Sequence, residues 1–285
     1  MNSAAWNRRK DFAFNYLGIF CTMLGLLMLA IFVMDILIDG LPRLSWQFIS
    51  SLPSRLPQKA GILPAMMGTI WILGLTAAIA IPVGVSAAIY LQEYGKKNTL
   101  ASMIEINIAN LAGVPSIIYG LLGLEIFARM MGLGGSLLTG ALTLSLLILP
   151  IIIVATREAL KAVPKSIREG SYALGATRWQ TIRHQVLPAA SGGIFTAVIL
   201  SLSRAVGETA PLIVIGALAY VPFVPRSPAD DFSVLPIQIF NWVSRPQKGF
   251  LTNAAAAIIV LLLITFLMNA VAIYLRNRSQ RNLKW

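Results

Sequence analysis

The sequence predicts an all-α protein that crosses a membrane six times. Three observations carry that expectation. The 285 residues are 57% hydrophobic and only 12% charged, with a mean hydropathy of +0.75, whereas a soluble domain carries about 25% charged residues. The apolar residues fall into six runs, each near or above the roughly 20 residues needed to cross a hydrocarbon core. The basic residues gather beside the ends of those runs, as topology signals do.

Taken in order, the runs cover residues 12–34, 62–91, 106–124, 130–156, 189–220 and 250–275. The first follows Arg8-Arg9-Lys10 in the manner of a secretory signal. It is longer than a cleavable apolar segment and no small-residue cleavage site follows it, so it reads as a retained helix. The chain then divides into a leading segment 1–11, a first span with its outer loop 12–61, a main membrane domain 62–275 and a basic tail 276–285. Segments 1–11, 92–100, 157–183 and 276–285 carry 15 Lys and Arg, against 7 on the alternating segments. The excess assigns the first set, and with it both termini, to the cytoplasm.

Pro64, Pro82, Pro115, Pro150 and Pro211 fall within the spans. Each removes a backbone hydrogen bond and kinks a helix, which membrane helices accept when a neighbour satisfies the freed carbonyl. Gly113, Gly120, Gly123, Gly132, Gly134 and Gly135 are expected to let helices approach closely. Asp35, Glu105 and Glu125 lie at span edges, where the expectation is contact with interfacial water. Glu125 and Arg129 are four apart and set to pair.

Several chemistries find no support. The single cysteine, Cys21, allows no intrachain disulfide, and no thiolate metal site can be assembled from it. The single histidine, His184, has no carboxylate or Cys cluster around it and reads as a surface residue rather than a metal ligand. A membrane-embedded enzyme would need clustered acids, His or Ser, so no catalytic residue is assigned. The formal charge of +12 lacks the basic stripe with interleaved aromatics expected for nucleic acid.

The exceptional stretch is Ser201-Leu202-Ser203-Arg204-Ala205-Val206-Gly207-Glu208-Thr209-Ala210-Pro211, in which Arg204 and Glu208 are the only charges of the run 189–220. Arg204 stands near the middle of that run, where an Arg costs roughly 2.5–3.5 kcal/mol on insertion scales and must face protein or water. In a continuous helix Glu208 shares its face. Two readings stand: an interhelical ion pair that fixes packing, or a charge in a transport path. Arg before Glu is the weaker order for helix stabilisation, and a guanidinium at depth is suited to gripping an anion. On the second reading Glu208 holds Arg204 while the site is empty. Ser201 adds a hydroxyl donor, and Arg157, at the inner end of the fourth span, is either a second contact on the exit side or a positive-inside anchor.

The inner loop 157–188 has the marks of a compact docking hairpin. Pro164 can open a short helix on which Ile167, Ser171 and Leu174 share a face. Gly175 can supply a left-handed stop, Thr177 can cap a second helix, and Pro188 is expected to end it.

Glu169-Gly170-Ser171-Tyr172-Ala173-Leu174-Gly175-Ala176-Thr177, followed by Val186-Leu187-Pro188-Ala189-Ala190, resembles the EAA loop of ABC-importer permeases. Glu169, Gly175, Leu187 and Pro188 match in register; Gly170-Ser171 replaces Ala-Ala, and Gln185 stands where an apolar residue is usual. A narrower likeness lies outside the loop. Gly113-Val114-Pro115-Ser116-Ile117-Ile118-Tyr119-Gly120, Ala155-Thr156-Arg157-Glu158-Ala159-Leu160, Ser203 to Pro211 and Leu235-Pro236-Ile237-Gln238-Ile239-Phe240 resemble the phosphate-specific permeases, the last of them the PstA-type branch. The resemblance covers about residues 63–275.

That resemblance implies a type I ABC importer permease fold in a bacterial inner (plasma) membrane. It implies translocation through Arg204, and coupling to an ATPase through Glu169, Tyr172, Ala173, Leu174, Gly175, Ala176, Thr177, Leu187 and Pro188. The implied partners are a PstC-type second permease, two PstB-type ATPase copies and a PstS-type extracytoplasmic phosphate-binding protein, besides the lipid bilayer. The sequence has no Gly-x-x-x-x-Gly-Lys-Ser/Thr motif, so this chain binds no cofactor and ATP with Mg belongs to the ATPase. Import of another oxyanion (molybdate or sulfate) is the nearest alternative, and a passive anion channel the alternative of a different class.

Overall fold

The computed structural model describes residues 3–95, 99–217 and 220–280, and these fold into helices joined by links, the longest running from Val214 to Leu235, with one isolated antiparallel bridge between Ser136 and Asp231. Lys96 and Lys97 of the expected inner turn, and the end of the basic tail, lie outside the described residues.

Five helical stretches are long and apolar enough to cross a membrane, and a bent pair makes a sixth. Helix α1 (Ser3–Gly40) is exposed along most of its length and meets the rest at its end, where Gly40 lies against Ala255, Ala256 and Ile259. A side chain at position 40 would collide with that backbone, so glycine is required there by close approach. A short α2 (Trp46–Ser50) in the outer loop follows, and Phe48 buries its ring beside Trp242. Next comes α3 (Leu63–Ile89), with Pro64 in its first turn and Pro82 inside it.

The central post is α6 (Leu137–Lys161), whose Leu137, Leu144, Ile148 and Ile152 are fully buried. It packs along α3 through Gly84 against Ile152 and Gly140 against Ile72, so the two run parallel. On its other side lies α9 (Leu187–Gly207), running antiparallel, with Gly193 against Ala159 and Ala155 sharing a groove with Ala197. After α11 (Leu235–Val243), the last helix, α12 (Gly249–Gln280), packs on α9 and is tied to it by Ser203 donating to Asn269 Oδ1 at 2.7 Å.

Two expected spans are broken, and proline explains both. The third is not one helix over 106–124. It consists of α4 (Thr99–Leu111) and α5 (Ser116–Gly123) with a wider turn Leu124–Met130, bent by 99°. The fifth does not run to 220: α9 stops at Gly207 and a short α10 (Ala210–Val214) follows. A proline ring clashes with the carbonyl four residues earlier. Four before Pro115 is Leu111, and four before Pro211 is Gly207, the last residues of α4 and α9. The freed Leu111 carbonyl accepts the Tyr119 hydroxyl at 2.7 Å.

Gly120 and Gly123 serve close approach as expected, against Pro211 and Thr143; Gly120 brings the second halves of the two broken spans together. Gly132 and Gly134 do not. They sit in open space at φ +69° and +60°, turning the chain into α6.

Candidate functional site

Arg204 lies in the last turn of α9. Its depth follows from packing. Eleven residues back from Arg204 is Gly193, which meets Ala159; eleven back from Ala159 along α6 is Ile148, near the centre of that 25-residue helix. Arg204 therefore stands level with the middle of the central post. The helix ends there because Pro211 forbids its continuation. A cation at that end also faces the negative pole of the α9 dipole, which favours it.

Glu208 is one residue beyond the helix, at φ −75° and ψ 122°, so it does not share a helical face with Arg204. The pair forms nonetheless: Arg204 Nε donates to Glu208 Oε1 at 3.3 Å. The Arg204 side chain is 43% exposed and that of Glu208 16%. Its two Nη groups make no hydrogen bond among the described residues, which leaves one edge of the fork open. Tyr119 of α5 donates to the Leu111 carbonyl at the first break, and the adjacent Gly120 lies against Pro211 at the second. Both helix breaks thus converge on one half-exposed cation.

The other two expected pathway residues, Ser201 and Arg157, do not touch the Arg204 fork. Ser201 is fully buried and donates its hydroxyl back to the Ala197 carbonyl at 2.8 Å, so it offers nothing to a ligand beside Arg204. Short hydroxyl side chains in helices commonly bond to the carbonyl four residues earlier. Arg157 is 11% exposed and bound to Glu105 of α4 at 2.6 Å. Counting along α6 it lies about 13 Å from the Ile148 level, toward the hairpin. Glu105, expected at a span edge, keeps 35% of its side chain exposed there and also ties α4 to α6. The Arg129–Glu125 pair forms as expected, at 3.0 Å and exposed.

The inner loop is a helical hairpin made of α7 (Lys165–Ala173) and α8 (Arg178–Thr181). Pro164 is the cap of α7 rather than its first residue. Gly175 closes α7 at φ +82°, with Gly175 N–H donating to the Tyr172 carbonyl and Ala176 N–H to that of Ser171. That is the paired-bond stop a left-handed glycine allows. Thr177 caps α8 in a reciprocal box with Gln180. Pro188 does not end the second helix. A wide turn Ile182–Val186 precedes it, and α8 passes through that turn into α9 without interruption. The wider register absorbs the hydrogen bond that Pro188 cannot make.

The residues expected to couple to a partner divide into two groups. Leu187, beside the half-exposed Pro188, packs with Leu160, Val163, Val186 and Ala190 and anchors the hairpin. Glu169, Tyr172, Ala173, Leu174, Gly175 and Thr177 are exposed, with Ala176 half-buried beside them. Ile167 and Ser171 turn inward, Ser171 meeting the Thr181 hydroxyl at 2.8 Å, while Leu174, at the cap, points out and is 90% exposed. Exposed Trp179 adjoins them and was not singled out by sequence. A second aromatic, seven residues after Tyr172 in a basic loop, was the available signal.

Among known proteins, residues 80–281 match the family of binding-protein-dependent transport system inner membrane components. The chain is 31% identical over 262 residues to the phosphate transport system permease protein PstA of Haemophilus influenzae, covering 91% of this chain and 92% of that one. It is 32% identical over 245 residues to the probable ABC transporter permease protein YqgI of Bacillus subtilis, covering 81% and 83%. Among solved structures it superposes on a chain of the bacterial alginate ABC transporter, complexed with its pentasaccharide-bound periplasmic protein. There the TM-score is 0.69 at 14% identity, covering 95% and 96%. An inward-facing MetNI methionine transporter chain gives a TM-score of 0.60 at 18% identity, covering 74% and 94%. The broken spans, the half-exposed arginine between them and the capped inner hairpin are therefore parts of a permease: the chain belongs to the binding-protein-dependent transport system inner membrane components, among the relatives of the PstA phosphate permeases.

Proposed function

We propose that this chain is one of two permease subunits of an ATP-driven importer of inorganic phosphate. The observation that carries the reading is the open edge of the Arg204 guanidinium at mid-depth, where two Pro-broken spans meet. Phosphate is a hydrated oxyanion without an apolar part, and crossing needs donors that replace its water. A planar fork grips two oxygens at once. Glu208 occupies the fork through Nε when no anion is present, and yields to an incoming phosphate. The similarity to PstA permeases supports the choice of cargo.

The partners on this reading are a PstC-type permease supplying the other half of the path, two PstB-type ATPases holding ATP and Mg, and a PstS-type binding protein outside. The exposed cluster Tyr172, Leu174 and Trp179 docks one ATPase. Both termini lie in the cytoplasm, as the basic residues direct. Ser201 and Arg157 support helices rather than touch cargo.

Reconstituted complex with ATP inside the cell-facing compartment tests the cargo. Radiolabelled phosphate should enter only with hydrolysable ATP, with unlabelled phosphate competing and sulfate or molybdate not. Sulfate outcompeting phosphate would assign the site to another oxyanion. Flux that ignores ATP would assign a channel.

A further inference from the structure

The inner end of α3 carries a segment that neither site uses: Tyr90-Leu91-Gln92-Glu93-Tyr94, wound as one wide turn. Glu93 is buried at 6% exposure. A carboxylate so placed is costly unless paired and hydrogen-bonded. Its partner is Arg168 of α7, with Nη2 donating to Oε1 at 2.7 Å and Nε facing Oε2 at 3.4 Å. The same guanidinium donates to the Leu160 carbonyl at 2.9 Å and the Val163 carbonyl at 2.8 Å, at the end of α6 where a helix leaves carbonyls unpaired. One side chain thus joins α3, α6 and α7. A second arginine, Arg178 of α8, lies 4.9 Å over the Tyr94 ring, and Tyr94 stacks on Tyr90.

The chain path gives these contacts a purpose. The hairpin is continuous with α9 through the wide turn, and it follows α6 after residues 162–164. Any movement of the hairpin is carried to α6 and α9 by backbone. No backbone link of that kind reaches α3; packing on α6 carries its length, and side chains tie its inner end to the hairpin. A fork bonded on three sides fixes direction as well as distance. We propose that Glu93 and Arg168 are positioning residues that lock the inner end of α3 to the docking hairpin, with Arg178 over Tyr94 as a second tie. Helices α3, α6 and α9 then swing as one body when the ATPases close. This rests on the importer reading above.

Glu93→Gln removes the charge and keeps the shape. In the reconstituted whole complex it should lower the yield, because buried Arg168 loses its carboxylate, while the complex that assembles hydrolyses ATP and its phosphate moved per ATP falls about fivefold or more. Arg168→Lys, which keeps charge but loses the fork, should fall between it and the parent. An unchanged ratio overturns the tie, as does a parallel loss of yield, hydrolysis and transport that leaves the ratio intact. Spin labels at exposed Ser86 and Ser166, in a Cys21→Ser background with Glu93 and Arg168 kept, test the same claim if the variants do not assemble. Their separation should be equal in nucleotide-free and ATP-bound complex, and a changed separation overturns the proposal. A parent complex that moves no phosphate sinks the cargo reading alone, since the label distance still decides the tie.

Discussion

Arg157 is held by Glu105 at 2.6 Å with 11% of its side chain exposed, while Arg204 meets Glu208 at 3.3 Å and keeps 43%. The two arginines sit on adjacent helices and differ in what surrounds them. Arg157 Nε is buried with no partner, so its carboxylate is what offsets burial. Glu105→Gln should therefore destabilise the protein by about 1–3 kcal/mol, the cost of a poorly satisfied buried group. Glu125→Gln, at an exposed pair, should stay within about 1 kcal/mol. Melting midpoints in detergent check this, and equal shifts for the two variants would refute it. The Arg157–Glu105 pair was not legible in the sequence, since nothing local links residues 52 positions apart. Ser201 misled for a related reason: spacing assigns a face, but a hydroxyl can turn back on its own helix.

Two helices, α4 and α9, end where a following proline requires. The residues Leu111 and Gly207, each four before a proline, were readable from sequence in principle, because the clash is local. The expectation went no further than kinks, because Pro82 and Pro150 sit in helices that continue. Which proline breaks a helix depends on whether the far side finds a partner. For α10 that partner is α5, against which Pro211 packs at Gly120. The hairpin was more legible, since its caps are chemistry within a few residues. Gly175 has open space around it, so its role is φ +82° rather than lack of bulk. Gly175→Val should cost about 1–2 kcal/mol in left-handed strain and Gly175→Asn less. Co-purification with the ATPase should weaken in the same order; equal behaviour of the two would contradict the backbone argument. Thr177→Ala, losing the box with Gln180, should cost about 1 kcal/mol, read as faster amide exchange at Gln180.

The molecule as a whole is a post, α6, braced at both ends. At its C-terminal end, the hairpin and Arg168 hold it. At its N-terminal end, the Asp230 and Pro228 carbonyls accept from Leu137 and Leu138 N–H, donors that a helix start leaves free. That outer loop is itself held by Asp230 Oδ2, which accepts from the Arg226 and Ser227 amides at 2.8 and 2.9 Å. Those amide bonds keep the Asp230 carboxyl below the ordinary aspartate value. A carboxyl depressed on folding contributes above its unfolded pKa of about 3.9, and the contribution is lost as pH falls through the lower folded value. Protection of the Arg226 and Ser227 amides should hold from neutral pH down to about that value and fall only below it. Asp230→Asn should lower protection already at neutral pH. Loss of protection in the parent near pH 6 would point to a different titrating group.

Between those braces the account depends on Arg204, and its most direct test is ATP-driven uptake of radiolabelled phosphate into vesicles carrying the Arg204→Ala complex. The complex should assemble and bind its ATPase as the parent does, with uptake at the level of vesicles without protein. Uptake at the parental rate would show that Arg204 only braces α9, and that the anion crosses elsewhere.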